Sequence, residues 1–367
     1  MEKSLPFEIA QNGYFPADML SLSILNTYCD TDALLYGFYN MFGNFCYHRN
    51  GNITLNAELN WECPLLSRKF VPRTILTDIK SLSLIKFIES SINNNYYLYI
   101  TLDQSKLKYY KYFEGPFRPH PITFYGYNCV IEKFYIADFL DGKKYRKESI
   151  TYDEFIVANE SVQKNMSVLD VFSGTNEWIL DIELVKYLHN YDMIYNLDYI
   201  KYSIDMFLQG RGINGNKSSL HQRLQPQIGL NPDGITEYYE AKISDEFYGI
   251  NVLKSIVNHI ENCINYSEYK FNFRHIYLIL QYTKLMGIKF EKLYQAGNIE
   301  ERLYFNEILT KINMVEKDMS LALNLSLRYI YANNLDDLKK IADYTKTGVE
   351  KINEINSTAL KVLNEAE

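Results

Sequence analysis

One run of the sequence sets an imidazole and a carboxylate where a strand hairpin would bring them together. It reads His120-Pro-Ile-Thr-Phe-Tyr-Gly-Tyr-Asn-Cys-Val-Ile-Glu-Lys-Phe-Tyr-Ile-Ala-Asp138. A turn centred on Cys129 pairs residues equidistant from it, so Phe124 faces Phe134, Ile122 faces Ile136 and His120 faces Asp138. Alternation puts all six on one side of the sheet, and the four apolar ones direct that side to the core. His120 and Asp138 then share the far end of a buried face, where a carboxylate can fix an imidazole tautomer. A bulge would slip this register. Tyr125 and Tyr127 point the other way and read as packing against another layer.

A His–Asp pair calls for a nucleophile. The segment Gln11-Asn-Gly-Tyr-Phe-Pro-Ala17-Asp-Met-Leu-Ser-Leu-Ser-Ile-Leu-Asn supplies a helix start without one. Pro16 suits the first helical position, which places Ala17 in the first turn of an apolar helix. A cysteine there would have its thiolate stabilised by the helix N-terminus and a nearby imidazolium. Alanine has no such chemistry.

Other groups carry weaker signals. Cys46-Tyr47-His48, flanked by Cys29 and Cys63, lacks the paired short spacing of a zinc site, so no metal is expected. His48 is a candidate second site residue. His189, His221, His259 and His275 stand alone, the last two within helical stripes. Asp18, Asp30 and Asp32 could meet a cationic amine, although capping explains them equally well. The glycine-bearing segment Gln209–Gly234 has Arg211, Lys217, His221 and Arg223 for an anion, but its spacing is not that of a phosphate loop. It reads as an ordered loop or lid.

The composition bounds the class. The chain has 367 residues, 47% hydrophobic and 15% aromatic, with 33 tyrosines and a net charge of −7. This describes a well-packed chain with a core of useful size, and the acidic balance argues against nucleic acid. Five irregularly spaced cysteines suit a reducing compartment. With no apolar run of membrane-spanning or signal-peptide type, no membrane partner is expected and the cytoplasm is the expected location.

The texture changes along the chain. Helix-like runs at Ala17–Tyr28 and Ile79–Ser91 precede strands at Tyr96–Asp103, Pro121–Tyr127 and Lys133–Leu140. Periods of three and four then predict helices at Tyr152–Ala158, Trp178–Leu188, Leu197–Gln209, Ala241–Tyr266, Phe271–Leu293, Ile299–Asn333 and Leu335–Asn364. The expectation is an α+β fold, with a catalytic region over 1–160 and a helical region over 161–367.

Gln11, the helix opening at Ala17, and the strands carrying His120 and Asp138 resemble the papain-like cysteine-protease fold. More narrowly, they are similar to biosynthetic acyltransferases related to the butirosin acyltransferase, closest to the amide-forming branch of closthioamide assembly. The papain-like pattern has a glutamine six residues before its cysteine, and Gln11 stands six before Ala17. The motif residues fall within roughly the first 140. The resemblance implies a central nucleophile helix against an antiparallel sheet, with the helical remainder shaping an acyl channel.

It also implies the chemistry. A cysteine at 17 takes an acyl group from the phosphopantetheine arm of a peptidyl carrier protein, and no other cofactor is needed. An amine such as 1,3-diaminopropane then attacks the acyl-enzyme. Gln11 and a backbone N–H hold the oxyanion, His120 serves as base and acid, and Asp138 orients it. The acyl chain implied is a thioamidated oligo-β-alanyl chain capped with 4-hydroxybenzoyl. Ala17 departs from the pattern at its most important position. Either a cysteine has been replaced or the chain is a natural pseudoenzyme, and retention of Gln11, His120 and Asp138 favours replacement. The alternatives are a papain-like peptidase or amide hydrolase, and a binding protein.

Overall fold

The computed structural model describes residues 2–10, 16–28, 40–48, 52–60, 66–71, 81–140, 144–165, 182–188, 197–211, 229–230, 236–237 and 246–365. It is a mixed α/β chain with an antiparallel sheet in the N-terminal half and a helical C-terminal part. It does not part at one point near residue 160. Two compact units form, each from separated segments: Met1–Thr31 with Cys63–Asp192 and Arg223–Tyr238, and Asp32–Glu62 with Met193–Gln222 and Tyr239–Glu367. No helix among the described residues is long and apolar enough to cross a membrane.

The first unit is built on a seven-stranded antiparallel sheet. Its strands are β1 (Glu2–Ser4), β4 (Leu66–Val71), β5 (Tyr97–Asp103), β6 (Pro119–Asn128), β7 (Lys133–Asp138), β8 (Arg146–Thr151) and β9 (Ile182–Tyr187). They run in the order β4-β9-β5-β6-β7-β8, with β1 added to β6. Strand β9 corrects the helix expected over Trp178–Leu188. Ile182, Leu184 and Val185 are buried, and the strand pairs with both β4 and β5. An apolar run this short has no decisive period, and partners on both edges make it a strand.

Helices cover both faces of this sheet. On one, α1 (Pro16–Thr27) is held by Arg68, whose guanidinium donates to Ser21 Oγ and pairs with Glu183 at 2.5 Å. Tyr28, just past α1, stacks on Tyr187 and meets the Tyr97 hydroxyl at 3.3 Å. Arg68, Val185 and Tyr97 form one cross-strand row, so α1 lies on their face. On the other face α3 (Tyr152–Lys164) packs against Phe124, and α2 (Ser81–Asn93) is joined to it where the Tyr152 hydroxyl donates to Glu89 at 2.5 Å. Phe155 of α3 meets Phe124 and Phe134 edge-on. A capping box of Thr151 and Glu154 starts α3. Gly126 lets β1 cross close over β6, since a Cβ there would sit 2.9 Å from Lys3 O and 2.7 Å from the Tyr135 ring.

The second unit joins a three-stranded sheet to helices. The hairpin β2 (Asn40–His48) and β3 (Asn52–Asn60) is extended by β12 (Glu246–Tyr248). Strand β12 lies within the run expected to be helical from Ala241, and the described helix spans Ile250–Asn265. The helices are α4 (Leu197–Gln209), α5 (Ile250–Asn265), α6 (Arg274–Gln295), α7 (Thr310–Ala332) and α8 (Leu335–Glu365). The expected stripe on α8 is buried at Leu338, Ile341, Val349, Ile352, Ile355, Ala359 and Leu363, whereas Leu335 is exposed. The short strands β10 (Gly229–Leu230) and β11 (Thr236–Glu237) pair in the first unit. The rest of the Gln209–Gly234 loop beyond Arg211 lies outside the described residues.

Candidate active site

His120 lies at the start of β6 and Asp138 closes β7, so the sheet carries both to one end. The register departs from the symmetric expectation. Phe124 pairs with Ile136 and Thr123 with Ala137; beyond an irregularity at Tyr125, Tyr127 pairs with Phe134. The turn spans 129–132, where Asn128 Oδ1 accepts from the N–H groups of Val130 and Ile131. Extending the Phe124–Ile136 pairing sets Ile122, not His120, opposite Asp138. A slip of two residues keeps the face, because side chains alternate with a period of two. His120 therefore still reaches Asp138, diagonally, with Nε2 3.3 Å from Oδ1.

That contact orients the imidazole. A carboxylate only accepts, so Nε2 carries the hydrogen and Nδ1 keeps a lone pair for proton transfer. The His120 side chain is 30% exposed while Asp138 is fully buried. The second oxygen of Asp138 is also held: Tyr110 donates to Oδ2 at 2.7 Å, and Gln104 Nε2 lies at 3.5 Å. Burial first, then the Asp138 charge, pushes the Tyr110 phenol well above its ordinary range, so it stays a donor. Tyr145, its phenol also raised by burial, shares a 2.7 Å hydrogen bond with Thr123.

A second buried carboxylate braces the approach to His120. Burial works to raise the pKa of Asp103, but Ser161 Oγ, Arg118 N and Ser105 N donate to it at 2.5, 2.9 and 3.0 Å. These bonds prevail and hold the carboxyl below its ordinary range. Asp103 thus clamps the 3₁₀ turn Gln104–Lys106 to the Arg118-Pro119-His120 entry of β6.

The structure brings together two of the four expected site residues. Ala17 occupies the first turn of α1, and its side chain, like all of Gln11, lies outside the described residues. The register places His120 in the row of Leu102, on the α3 side of the sheet, whereas α1 is anchored on the Tyr97 side.

The side chains of Asp18, Asp30, Asp32, Cys29, Cys46, Cys63, His48, His189 and His221 lie outside the described residues. His259 and His275 are buried in α5 and α6 of the second unit. Among the described residues no three His, Cys, Asp or Glu side chains converge as a metal site. No protein-family model matches the chain, and no curated protein matches it in sequence.

Sequence reasoning missed Tyr110 and Gln104. Tyr110 stands among several aromatics in Lys108-Tyr-Tyr-Lys-Tyr-Phe113, where nothing marks one as pointing inward.

Proposed function

We propose that the parent form of this protein, with cysteine at 17, is a papain-like, amide-forming acyltransferase that works through an acyl-enzyme. The observation that carries the reading is the Nε2 contact of His120 to buried Asp138, which leaves Nδ1 as base. The papain-like sequence pattern supports it. Nδ1 takes the thiol proton, and the thiolate attacks the carrier-bound thioester and expels the carrier thiol, which leaves with that proton. An amine such as 1,3-diaminopropane then attacks the acyl-enzyme, giving its proton to His120 as the cysteine sulfur departs. Gln11 is assigned to the oxyanion. The peptidyl carrier protein and the capped oligo-β-alanyl acyl chain belong to the same proposal. With Ala17 the chain forms no acyl-enzyme.

The test is Ala17→Cys, incubated with an acyl thioester and followed by intact mass with and without 1,3-diaminopropane. An adduct discharged as amide is expected. No adduct overturns the reading, and discharge only to free acid makes the protein a hydrolase.

A second reading, a binding protein with a natural alanine, is favoured by the placement of α1 on the face opposite His120. Its mark is an Ala17→Cys chain that binds the acyl donor without reacting.

A further inference from the structure

The chain is acidic overall, yet the segment running into β6 is not. Lys106, Lys108, Lys111 and Arg118 face a single acid, Glu114, between residues 106 and 118. Lys108 is engaged with Glu154 at 3.2 Å. Lys111 and Arg118 are engaged only with an aromatic ring. The Arg118 guanidinium lies 3.6 Å from the Tyr112 ring centroid, and Lys111 Nζ lies 5.6 Å from the same centroid. Among the described residues neither has a carboxylate partner, Glu114 included.

Two like charges gathered on one ring repel each other, and an anion between them would relieve that repulsion. The ring also fixes the guanidinium plane, leaving its edge N–H groups free for the forked contact that suits phosphate.

The position of the pair gives it a use. Arg118 precedes His120 by two residues, and Gln104 N donates to Arg118 O at 2.9 Å, continuing the β5–β6 ladder. Arg118 thus stands immediately before β6, two residues along the chain from His120. The segment that carries Lys111 and Tyr112 also carries Tyr110 onto Asp138, and Lys111 N donates to Leu140 O at 3.2 Å. The two segments that carry the cations are therefore tied to the His120–Asp138 end of the sheet, each through a buried carboxylate.

We infer that Arg118 and Lys111, seated on Tyr112, form a phosphate-binding subsite for the thioester donor, beside the entry of the strand that carries His120. The inference rests on the acyl-transfer reading and names the part of the donor that this pair would hold: a phosphate on the thiol arm, not the acyl group.

The unmodified Ala17 chain tests it by titration calorimetry with pantetheine and with pantetheine 4′-phosphate. The phosphorylated arm should bind about tenfold more tightly, as expected for charge-assisted bonds, with the advantage shrinking as salt is added. Arg118→Ala should remove most of the advantage, and Arg118→Lys should keep part of it. Equal binding of the two arms, or an advantage that survives Arg118→Ala with Lys111→Ala, overturns the subsite. Inorganic phosphate that binds as tightly as the phosphorylated arm makes this a free-anion site and overturns the donor assignment. Acylation of Ala17→Cys by a thioester without phosphate reports separately on the catalytic reading.

Discussion

Tyr110 and His120 hold opposite oxygens of one buried carboxylate. Tyr110 donates to Asp138 Oδ2 at 2.7 Å, and His120 Nε2 meets Oδ1 at 3.3 Å. Neither side chain is adjacent to Asp138 in sequence or directly across the ladder from it. The phenol arrives on the irregular segment between β5 and β6, and the imidazole arrives on a diagonal created by the shifted hairpin register. The carboxylate is thus held at both oxygens by the protein itself, which is the condition the proposed orienting role requires.

Removing that second hold should loosen the pair. Tyr110→Phe leaves Asp138 Oδ2 with only the 3.5 Å approach of Gln104 in a fully buried setting. Leaving a buried acceptor short of a donor costs about 1–3 kcal/mol, readable as a lowered urea midpoint. A merely structural tyrosine would do no more. The orienting role predicts in addition that the His120 ring nitrogens, followed by ¹⁵N NMR against pH, lose their single-tautomer signature. In the Ala17→Cys background, kcat should fall about tenfold with KM little changed. An unaltered His120 spectrum in a folded Tyr110→Phe protein would reduce Tyr110 to packing.

The pairing of His120 with Asp138 was legible because it needed only parity. Any even slip of the hairpin leaves both residues on one face, so the expected contact survived a register that was wrong by two. The irregularity at Tyr125 was not legible, since nothing in Phe124-Tyr125-Gly126 says where an extra residue sits, although Gly126 marks the close crossing of β1. Helices α4, α6 and α8 fell almost where their apolar spacing put them. Strand β9 did not, because its identity comes from β4 and β5, which flank it in space but not in sequence. The chemistry at 17 depends on where α1 lies relative to the sheet. That is a tertiary relationship which a helix-start signal does not encode.

Acid should destabilise the second unit before it protonates most carboxylates. His275 is buried in α6, and its Nε2 donates to Leu55 O at 2.6 Å, tying α6 to β3. Burial first, then neighbouring His259, pushes its pKa down from 6.5 to about 3. Between those values the unfolded chain holds a proton that the folded chain excludes, so stability rises with pH across the window. The contribution is complete above 6.5 and is lost as pH falls toward 3. One proton corresponds to about 1.4 kcal/mol per pH unit. Urea midpoints from pH 7 to pH 4 should fall accordingly. His275→Gln retains a donor for Leu55 O and should flatten that slope by nearly one proton. An unchanged slope would mean that His275 does not titrate there.

Lys289 poses the same question with the opposite resting charge. Its Nζ lies 2.9 Å from Ser203 Oγ, both residues are buried, and no carboxylate meets it among the described residues. Burial lowers its pKa from 10.5 to about 7. Between 7 and 10.5 the unfolded chain carries the extra proton, so this group makes stability rise with pH. The cost of burying the amine is fully present below 7. Ser203 also donates to Ile200 O at 2.8 Å, so it keeps a partner if the amine is removed. Lys289→Met, which fills a similar volume without a charge, should therefore stabilise the protein by on the order of 1–4 kcal/mol at pH 7. It should also abolish the rise in urea midpoint between pH 7 and pH 9, below the range where phenols titrate. A destabilised Lys289→Met protein would mean that the amine is held by more than Ser203 and is needed where it lies.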